Sequence, residues 1–466
     1  MRQLKGTELK IIRTLILAWV GVLFYTALAG QLPPMVHQVF AVGGAAVLTY
    51  WLLPFRKKET PGTRAGLTDY LGILLVLLTC GWAGINATGY MLNPGTIVTR
   101  DVIFGAITII WLLEAARRTV GIAIPLIFIF MLLYAILGPY LPWIFWHPSI
   151  NFTRAVGSLY TIPDALWGTV TRIMTITIPA FIIYGAVVLK CGGAQVLINV
   201  SAGLAGRYTG GPAKIAVIAS GLFGMINGSS VANAATTGSV TIPMMKKMGY
   251  EPHVAASVES CASAGGLIMP PVMGAGAFLM ATFLGIPYLT VALAAFIPAC
   301  LYFFGVFMGV HFQSVKAGIG RMSKEEVSEA RHRISLLKLA PLALSFGVLV
   351  YMIAVGRTPQ SAAFWGTVII AVLYMLTQGP LKDMWTRFKD IVAGFESAGS
   401  ALMMVIILGA SIQMVVYLIG ISGIGVILSQ LIFGAAGTSI FLALFLVMLI
   451  CIFLGMGVPS TAAYVM

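Results

Sequence analysis

Charge is scarce in this chain. Only 9% of its 466 residues are Asp, Glu, Lys or Arg, and 59% are hydrophobic. A soluble domain carries about 25% charged residues. Apolar runs of spanning length recur from end to end, which excludes a soluble enzyme with a single anchor. Acid is scarcer than base: 14 Asp and Glu face 28 Lys and Arg, a net charge of +14. That excess does not describe a nucleic-acid binder. The basic residues fall in short loops between apolar runs, where the positive-inside rule places cytoplasmic loops. Five cysteines (Cys80, Cys191, Cys261, Cys300, Cys451) lack metal or disulfide spacing, and five histidines form no cluster, which argues against a metal enzyme. The sequence has no Gly-x-x-x-x-Gly-Lys-Ser/Thr stretch, so ATP-driven transport by this chain alone is not expected. Nor does it show a nucleophilic or acid–base constellation.

What is present is a series of apolar spans. The basic-then-apolar start with Ala27-Leu28-Ala29 looks like a signal peptide, but polytopic proteins commonly retain such a first helix, and a retained span is the reading adopted. Spans are expected at about 11–30, 37–54, 68–88, 101–116 and 121–140. Residues 151–172 are more amphipathic and read as lying partly along the interface. A span at about 173–190 follows, then "SAGLAGRYTGG" (201–211), which reads as a short surface helix and turn. Later spans fall at about 288–311, 339–355, 361–378 and 398–419, with basic cytoplasmic segments at 316–338 and around "LKDMWTRFKD".

Two stretches break this pattern. Lys214 and the pair Lys246-Lys247 bracket 31 uncharged residues. One crossing would put these basic ends on opposite sides, and two crossings need about 40 residues plus a turn. A re-entrant hairpin keeps both ends cytoplasmic. Its tip falls near Ser229, inside "GMINGSSVANAATT". In 252–287, Gly265-Gly266, Pro270-Pro271 and Gly274 interrupt an apolar run whose one formal charge is Glu259. This predicts two half-helices with an unwound middle.

The hairpin tip has a partial copy. With Gly455 set on Gly224, Gly-Met repeats, Ser460 falls on Ser229, Thr461 on Ser230 and Ala463 on Ala232, four identities in ten positions. By charge, the second copy enters from the opposite face. An inverted repeat of this kind is a hallmark of secondary transporters, whose sites lie at the midplane where broken helices meet. The expected class is therefore an all-α polytopic membrane protein with re-entrant hairpins and discontinuous helices. At a midplane tip, backbone carbonyls and Ser, Thr and Asn oxygens can replace the hydration shell of Na⁺, and half-helix N-termini suit a carboxylate. Asn227, Gly228, Ser229, Ser230, Asn233, Thr236 and Thr237 fit that task, with Ser460 and Thr461 in the second copy; Gly228 and Pro459 shape the turns. The alternative is that small polar residues let helices pack closely. Glu259 reads as a Na⁺ ligand, a proton carrier, an internal charge partner or a residue at the cytoplasmic edge.

These residues resemble a known family. "FGMINGSSVANAATTGSVTIPMMKKMGY" followed by "SCASAGGLIMPPVMGAGAFLMA" looks like the membrane permease of tripartite ATP-independent periplasmic (TRAP) transporters. It is most similar to the fused TAXI-type permease, with small and large subunits in one chain. The resemblance is strong over about 170–310, recurs at "GMGVPSTAAYV" and is weak over the N-terminal spans. It implies an elevator-type secondary transporter of the prokaryotic inner membrane, driven by Na⁺, with no other cofactor. A periplasmic substrate-binding protein would deliver a small organic acid. On this pattern 1–150 is small-subunit-like scaffold, 151–315 the first half of the large-subunit-like region, 316–338 a cytoplasmic linker and 339–466 the second half. The first-hairpin ion site falls on Asn227 to Asn233. The unwound helix follows at Ser263 to Met273, with Ser260, Ser263, Gly265, Gly266, Pro270 and Pro271 about it. The second hairpin falls on Gly455 to Thr461, including Gly457 and Pro459. Na⁺ is expected at Asn227, Ser229, Ser230, Ser460 and Thr461.

Two departures stand out. Leu267 occupies a position where a polar residue, often Gln, is expected. The sequence also stops at Met466, just past the second tip, so the chain is expected to be a fragment unable to transport alone. Other readings are a one-component carboxylate or ion carrier, a passive channel and a membrane-embedded enzyme. The last lacks its metal or nucleophile cluster.

Overall fold

The computed structural model of the chain describes residues 2, 6–30, 32–55, 65–332, 336–379, 381–437, 439–455 and 460–465. Among them every regular element is a helix, and nine helices are long and apolar enough to cross a membrane. The protein is an all-helical, multi-pass membrane protein. The N-terminal region carries α1 (Thr7–Ala29), α2 (Pro34–Leu52), α3 (Leu67–Ile85), the short α4 (Ala87–Leu92), α5 (Thr99–Thr119), α6 (Ala123–Leu137) and α7 (Phe152–Thr161). Helix α8 (Thr169–Lys190) leads to α9 (Gly193–Ala205), α10 (Gly211–Asn227), α11 (Ser230–Lys247), α12 (Pro252–Gly265), α13 (Ala275–Leu284) and α14 (Tyr288–Lys316). Then come α15 (Lys324–His332), α16 (Leu336–Ala354), α17 (Pro359–Thr377), α18 (Met384–Ser422), α19 (Ile424–Ala436), α20 (Ile440–Gly455) and α21 (Ser460–Val465). The chain forms two compact units, one of Met1–Ile176 with Gly399–Met466, the other of Thr177–Ala398.

Four sequence expectations need correction. Helix α5 forms where a span is expected, but Arg100, Asp101, Glu114, Arg117 and Arg118 keep it out of the nine apolar spans. Residues 155–161 of α7 are all buried, so that helix packs into its unit instead of lying on an interface. Its close neighbour is α5, where a Cβ at Gly105 would strike the Val156 carbonyl. The helix expected at 201–211 runs from Gly193 to Ala205, because left-handed Gly192 ends α8 and the apolar face begins at Leu197 and Ile198. That face is buried, so α9 is a packed helix. Finally, α18 extends for 39 residues through the expected basic loop, since no proline interrupts it.

In the first unit, Asp69 is buried between two guanidinium groups, 2.7 Å from Arg2 and 2.6 Å from Arg118. Helix α2 supplies His37, fully buried, whose Nε2 lies 3.0 Å from the Thr175 carbonyl of α8. Thr175 sits four residues before Pro179, and proline has no N–H to give that carbonyl. In a helix at membrane depth a neighbour must supply the missing donor. His37 does so.

In the second unit, α10 and α11 form an antiparallel pair packed on α12 and α14. Their contact surface is made of small residues, Ala213, Ala216, Ala255 and Ala262 among them, with Met245 and Tyr250. Small side chains let backbones approach where lipid offers no hydrophobic drive to helix association. Lys214, the basic residue at the start of the hairpin, is buried. Its Nζ lies 3.2 Å from His311 Nδ1 and 4.9 Å from the centre of the Phe307 ring.

Candidate functional site

The site is built on the α10–α11 hairpin and the break between α12 and α13. Each arm, at 17 and 18 residues, is shorter than the roughly 20 residues of a full crossing. Helix α10 ends at Asn227 because Gly228 adopts φ 59°, a left-handed cap that glycine takes without penalty. Ser229 then caps α11, its hydroxyl accepting from the Ala232 N–H at 3.3 Å. The Asn227 side-chain oxygen accepts from the Ser229 N–H at 2.7 Å. Its side-chain nitrogen is buried and has no hydrogen-bond partner among the described residues. An unpaired buried donor is costly and marks a place for an acceptor.

The tip rests on the unwound stretch. A Cβ at Gly228 would collide with the Met273 carbonyl oxygen, and one at Gly224 would collide with the Gly266 backbone. Between Gly266 and Gly274 the chain is not helical; the Pro270–Pro271 peptide is cis and Met273 has φ 53°. The Gly274 N–H closes the stretch onto the Leu267 carbonyl at 2.9 Å. Tyr288 of α14 places its hydroxyl 2.7 Å from both the Pro271 and Val272 carbonyls. The N-termini of α11 and α13 thus begin beside the same tip-and-break junction, each with helix-end N–H groups.

Below the tip lies a second polar group. Glu259 of α12 is 1% exposed, which places it inside the unit and not at an edge. Its Oε1 accepts from Ser220 at 3.1 Å, from Ser263 at 3.0 Å and from Thr237; its Oε2 accepts from Thr241. Asn233 Nδ2 donates to the Ser220 carbonyl at 2.8 Å and so ties the two arms together. Asn233, Thr237 and Thr241 share one face of α11 by their four-residue spacing.

A family model described as "Tripartite ATP-independent periplasmic transporter, DctM component" matches residues 107–466. The chain belongs to this family. The family is one of transporter permeases and not of enzymes. Among curated relatives, the uncharacterized protein YgiK of Salmonella typhimurium is 31% identical over 176 residues, 33% of this chain and 40% of that protein. The C4-dicarboxylate TRAP transporter large permease protein DctM of Pseudomonas aeruginosa is 30% identical over 234 residues, 48% of this chain and 52% of its own length. The sialic acid TRAP transporter permease protein SiaT of Haemophilus influenzae is 28% identical over 96 residues, 21% of this chain and 16% of that protein. The permease chain thus spans about half, or less, of the length of these relatives.

The expected site residues of the permease sort into three groups. Gly228 of the tip meets Val272 and Met273 of the unwound stretch, which includes Pro270 and Pro271, and Asn227, Ser229 and Ser230 flank Gly228 in the chain; Gly265 packs on the Tyr302 and Phe303 rings. Asn233, Thr237, Glu259 and Ser263 form the network below it. Thr236 is outside that network, its carbonyl accepting from Ser239, and Ser260 lies on the exposed face of α12. In the other unit, Ser460 opens the six-residue α21 with an exposed side chain and Thr461 is buried, while Gly457 and Pro459 lie outside the described residues. Two members of the network, Ser220 and Thr241, go unnoticed in the sequence. Thr241 continues the Asn233–Thr237 spacing. Ser220 stands eight residues before Gly228 and Thr237 eight after Ser229, so the hairpin register pairs them. Their hydroxyl oxygens are 3.1 Å apart.

Proposed function

We propose that this permease is the membrane component of a Na⁺-coupled secondary importer of small organic acids in the prokaryotic inner membrane, supplied by a periplasmic substrate-binding protein. The observation that carries the reading is the hairpin tip seated on the unwound stretch, with the buried Asn227 amide nitrogen lacking an acceptor. Oxygen atoms of Asn227, Ser229 and Ser230 and the non-helical carbonyls of the break suit Na⁺. The Asn227 N–H₂ and the N-termini of α11 and α13 suit a carboxylate. Relatives of the permease carry names that give C4-dicarboxylate and sialic acid, both organic acids.

The finer assignment is the fused TAXI branch. The family match begins at 107, and residues before it already supply α1 to α4, as a small-subunit-like region at the N-terminus requires. In the elevator reading, the hairpin and broken helix of residues 211–286 travel together, consistent with their dense packing within one unit. The second copy, with Ser460 and Thr461, is proposed by its repeat to take the same class of ligand. The test is uptake of labelled acids by the complete transporter that carries this chain, reconstituted with its binding protein, at varied Na⁺. Ser229→Ala is expected to raise the Na⁺ concentration for half-maximal uptake at least tenfold. An unchanged Na⁺ dependence would remove Ser229 from the ion site.

A further inference from the structure

The first unit holds a groove that the importer reading does not use. It lies between α1, α2 and α3 and has a volume of about 660 Å³. Small-molecule sites commonly occupy about 300–1,000 Å³ and pair an apolar lining with a few polar groups. Here the walls are apolar, with Leu15 and Val22 from α1, Phe40 and Val47 from α2, and Leu77 and Ile85 from α3. Phe40 and Leu77 are exposed, so the groove opens sideways to lipid.

Two glycines of α3 keep it open. Gly81 lies inside the helix, where glycine is among the weakest helix formers. A Cβ there would meet nothing within 4 Å, and one at Gly84 would touch only Val39, at 3.8 Å. Close helix packing therefore does not call for either glycine. It does call for Gly72 on the same helix, where a Cβ would strike the Tyr50 ring. What Gly81 and Gly84 preserve is space.

Trp19 of α1 gives the groove a hydrogen-bond donor. It is a lining residue, 5% exposed, and its Nε1 has no hydrogen-bond partner among the described residues. A buried indole N–H ordinarily finds an acceptor. The nitrogen lies at Gly44, another lining residue, where a Cβ would stand 2.3 Å from it. Glycine at 44 thus keeps an α2 side chain from covering the N–H edge.

Depth selects the ligand. Trp19 stands twelve residues after the start of α1 and ten before its end, and Gly44 stands ten after the start of α2. At 1.5 Å per residue the donor is about 15–18 Å from each end of α1. That is the middle of a hydrocarbon core about 30 Å thick. A phospholipid keeps its ester and phosphate oxygens at the interface, and only its hydrocarbon reaches this level. The ligand must instead carry an acceptor on a body that is otherwise apolar. A quinone ring on a prenyl tail has this chemistry.

We propose that the α1–α2–α3 groove binds a membrane-dissolved isoprenoid quinone, with a ring carbonyl accepting from Trp19 Nε1 and the prenyl tail lying along Gly81 and Gly84. The quinone is held intact, with no electron or proton transfer. The site stands apart from the hairpin tip and does not rest on Na⁺ coupling.

The test uses the complete transporter that carries this chain, in nanodiscs of synthetic phosphatidylcholine, with a photoreactive azido derivative of a short-chain ubiquinone as the probe. The expected result is saturable labelling that mass spectrometry maps to peptides of α1, α2 or α3. Unlabelled short-chain ubiquinone should compete, whereas a prenyl hydrocarbon with the same tail and no ring should not. Trp19→Phe keeps an aromatic ring and removes the donor, and should weaken binding about threefold or more. Gly81→Leu combined with Gly84→Leu fills the groove and should cut labelling about tenfold. Thermal midpoints report whether each variant folds; Trp19→Phe and the two competitors decide the matter if the double leucine variant does not. Labelling that fails to saturate, or that the prenyl hydrocarbon or added phospholipid displaces equally well, would mark an ordinary lipid contact and overturn the proposal. So would an unchanged affinity in Trp19→Phe, or full labelling in a folded double leucine variant.

Discussion

Gly228 and Gly224 are glycines for different physical reasons. Gly228 combines a left-handed backbone with the Met273 carbonyl pressed against its α-carbon. Gly224 is helical and needs only the close approach of Gly266. Gly228→Ala should cost about 1–2 kcal/mol for the backbone alone, and the collision should push the tip off the break. Uptake is expected to fall at least tenfold, with a lower thermal midpoint in detergent; wild-type uptake would show that the tip does not rest on Met273. Among the hydroxyls, burial separates neighbours that look alike in sequence. Thr237→Val removes a donor to a charged group and should destabilise by about 1.5–3 kcal/mol. Thr236→Val, outside the network, should stay within about 0.5 kcal/mol. Equal effects in denaturant unfolding would contradict the assignment. The sequence makes the polar cluster legible because Asn, Ser and Thr are conspicuous between apolar arms. It does not separate Thr236 from Thr241, or Ser260 from Ser220, because that choice depends on helix face and hairpin register.

At the scale of the element, the hairpin and the broken helix are readable from charge and from helix breakers. Thirty-one uncharged residues between basic ends cannot be two full spans, and Gly-Gly with Pro-Pro cannot continue a helix. The structure strengthens the internal repeat. The offset that sets Gly455 on Gly224 also carries α9 onto α19, end for end: Gly193 onto Ile424 and Ala205 onto Ala436. The same offset puts Cys451 at the place of Ser220 and Val458 at that of Asn227, so the hydroxyl network belongs to the first copy. Element boundaries were harder to read where no residue marks them, as in α18, whose basic start looks like a loop. The role of His37 is a tertiary feature with no local signal, since its partner carbonyl is freed by a proline far along the chain. His37→Ala should cost about 1–3 kcal/mol by leaving the Thr175 carbonyl unsatisfied. Adding Pro179→Ala should recover about 1 kcal/mol by restoring the helix N–H. Strictly additive effects of the two substitutions on unfolding would contradict the pairing.

For the whole molecule, composition alone gives the class, since so few charges over so many apolar runs leave only a polytopic membrane protein. The division into two units is not legible in the same way. The first unit joins Met1–Ile176 to Gly399–Met466 across more than 200 intervening residues, and hydropathy carries no information about such long-range partnership. What unites the account is the claim that the tip at Asn227 to Ser230 binds the coupling ion and the acid together. The direct measurement is uptake of a labelled organic acid by vesicles containing the complete transporter that carries this chain and its binding protein, with and without an inward Na⁺ gradient. The account predicts saturable accumulation that needs both the gradient and the binding protein and is lost in Gly228→Ala. Accumulation that persists without Na⁺, or without the binding protein, would contradict it.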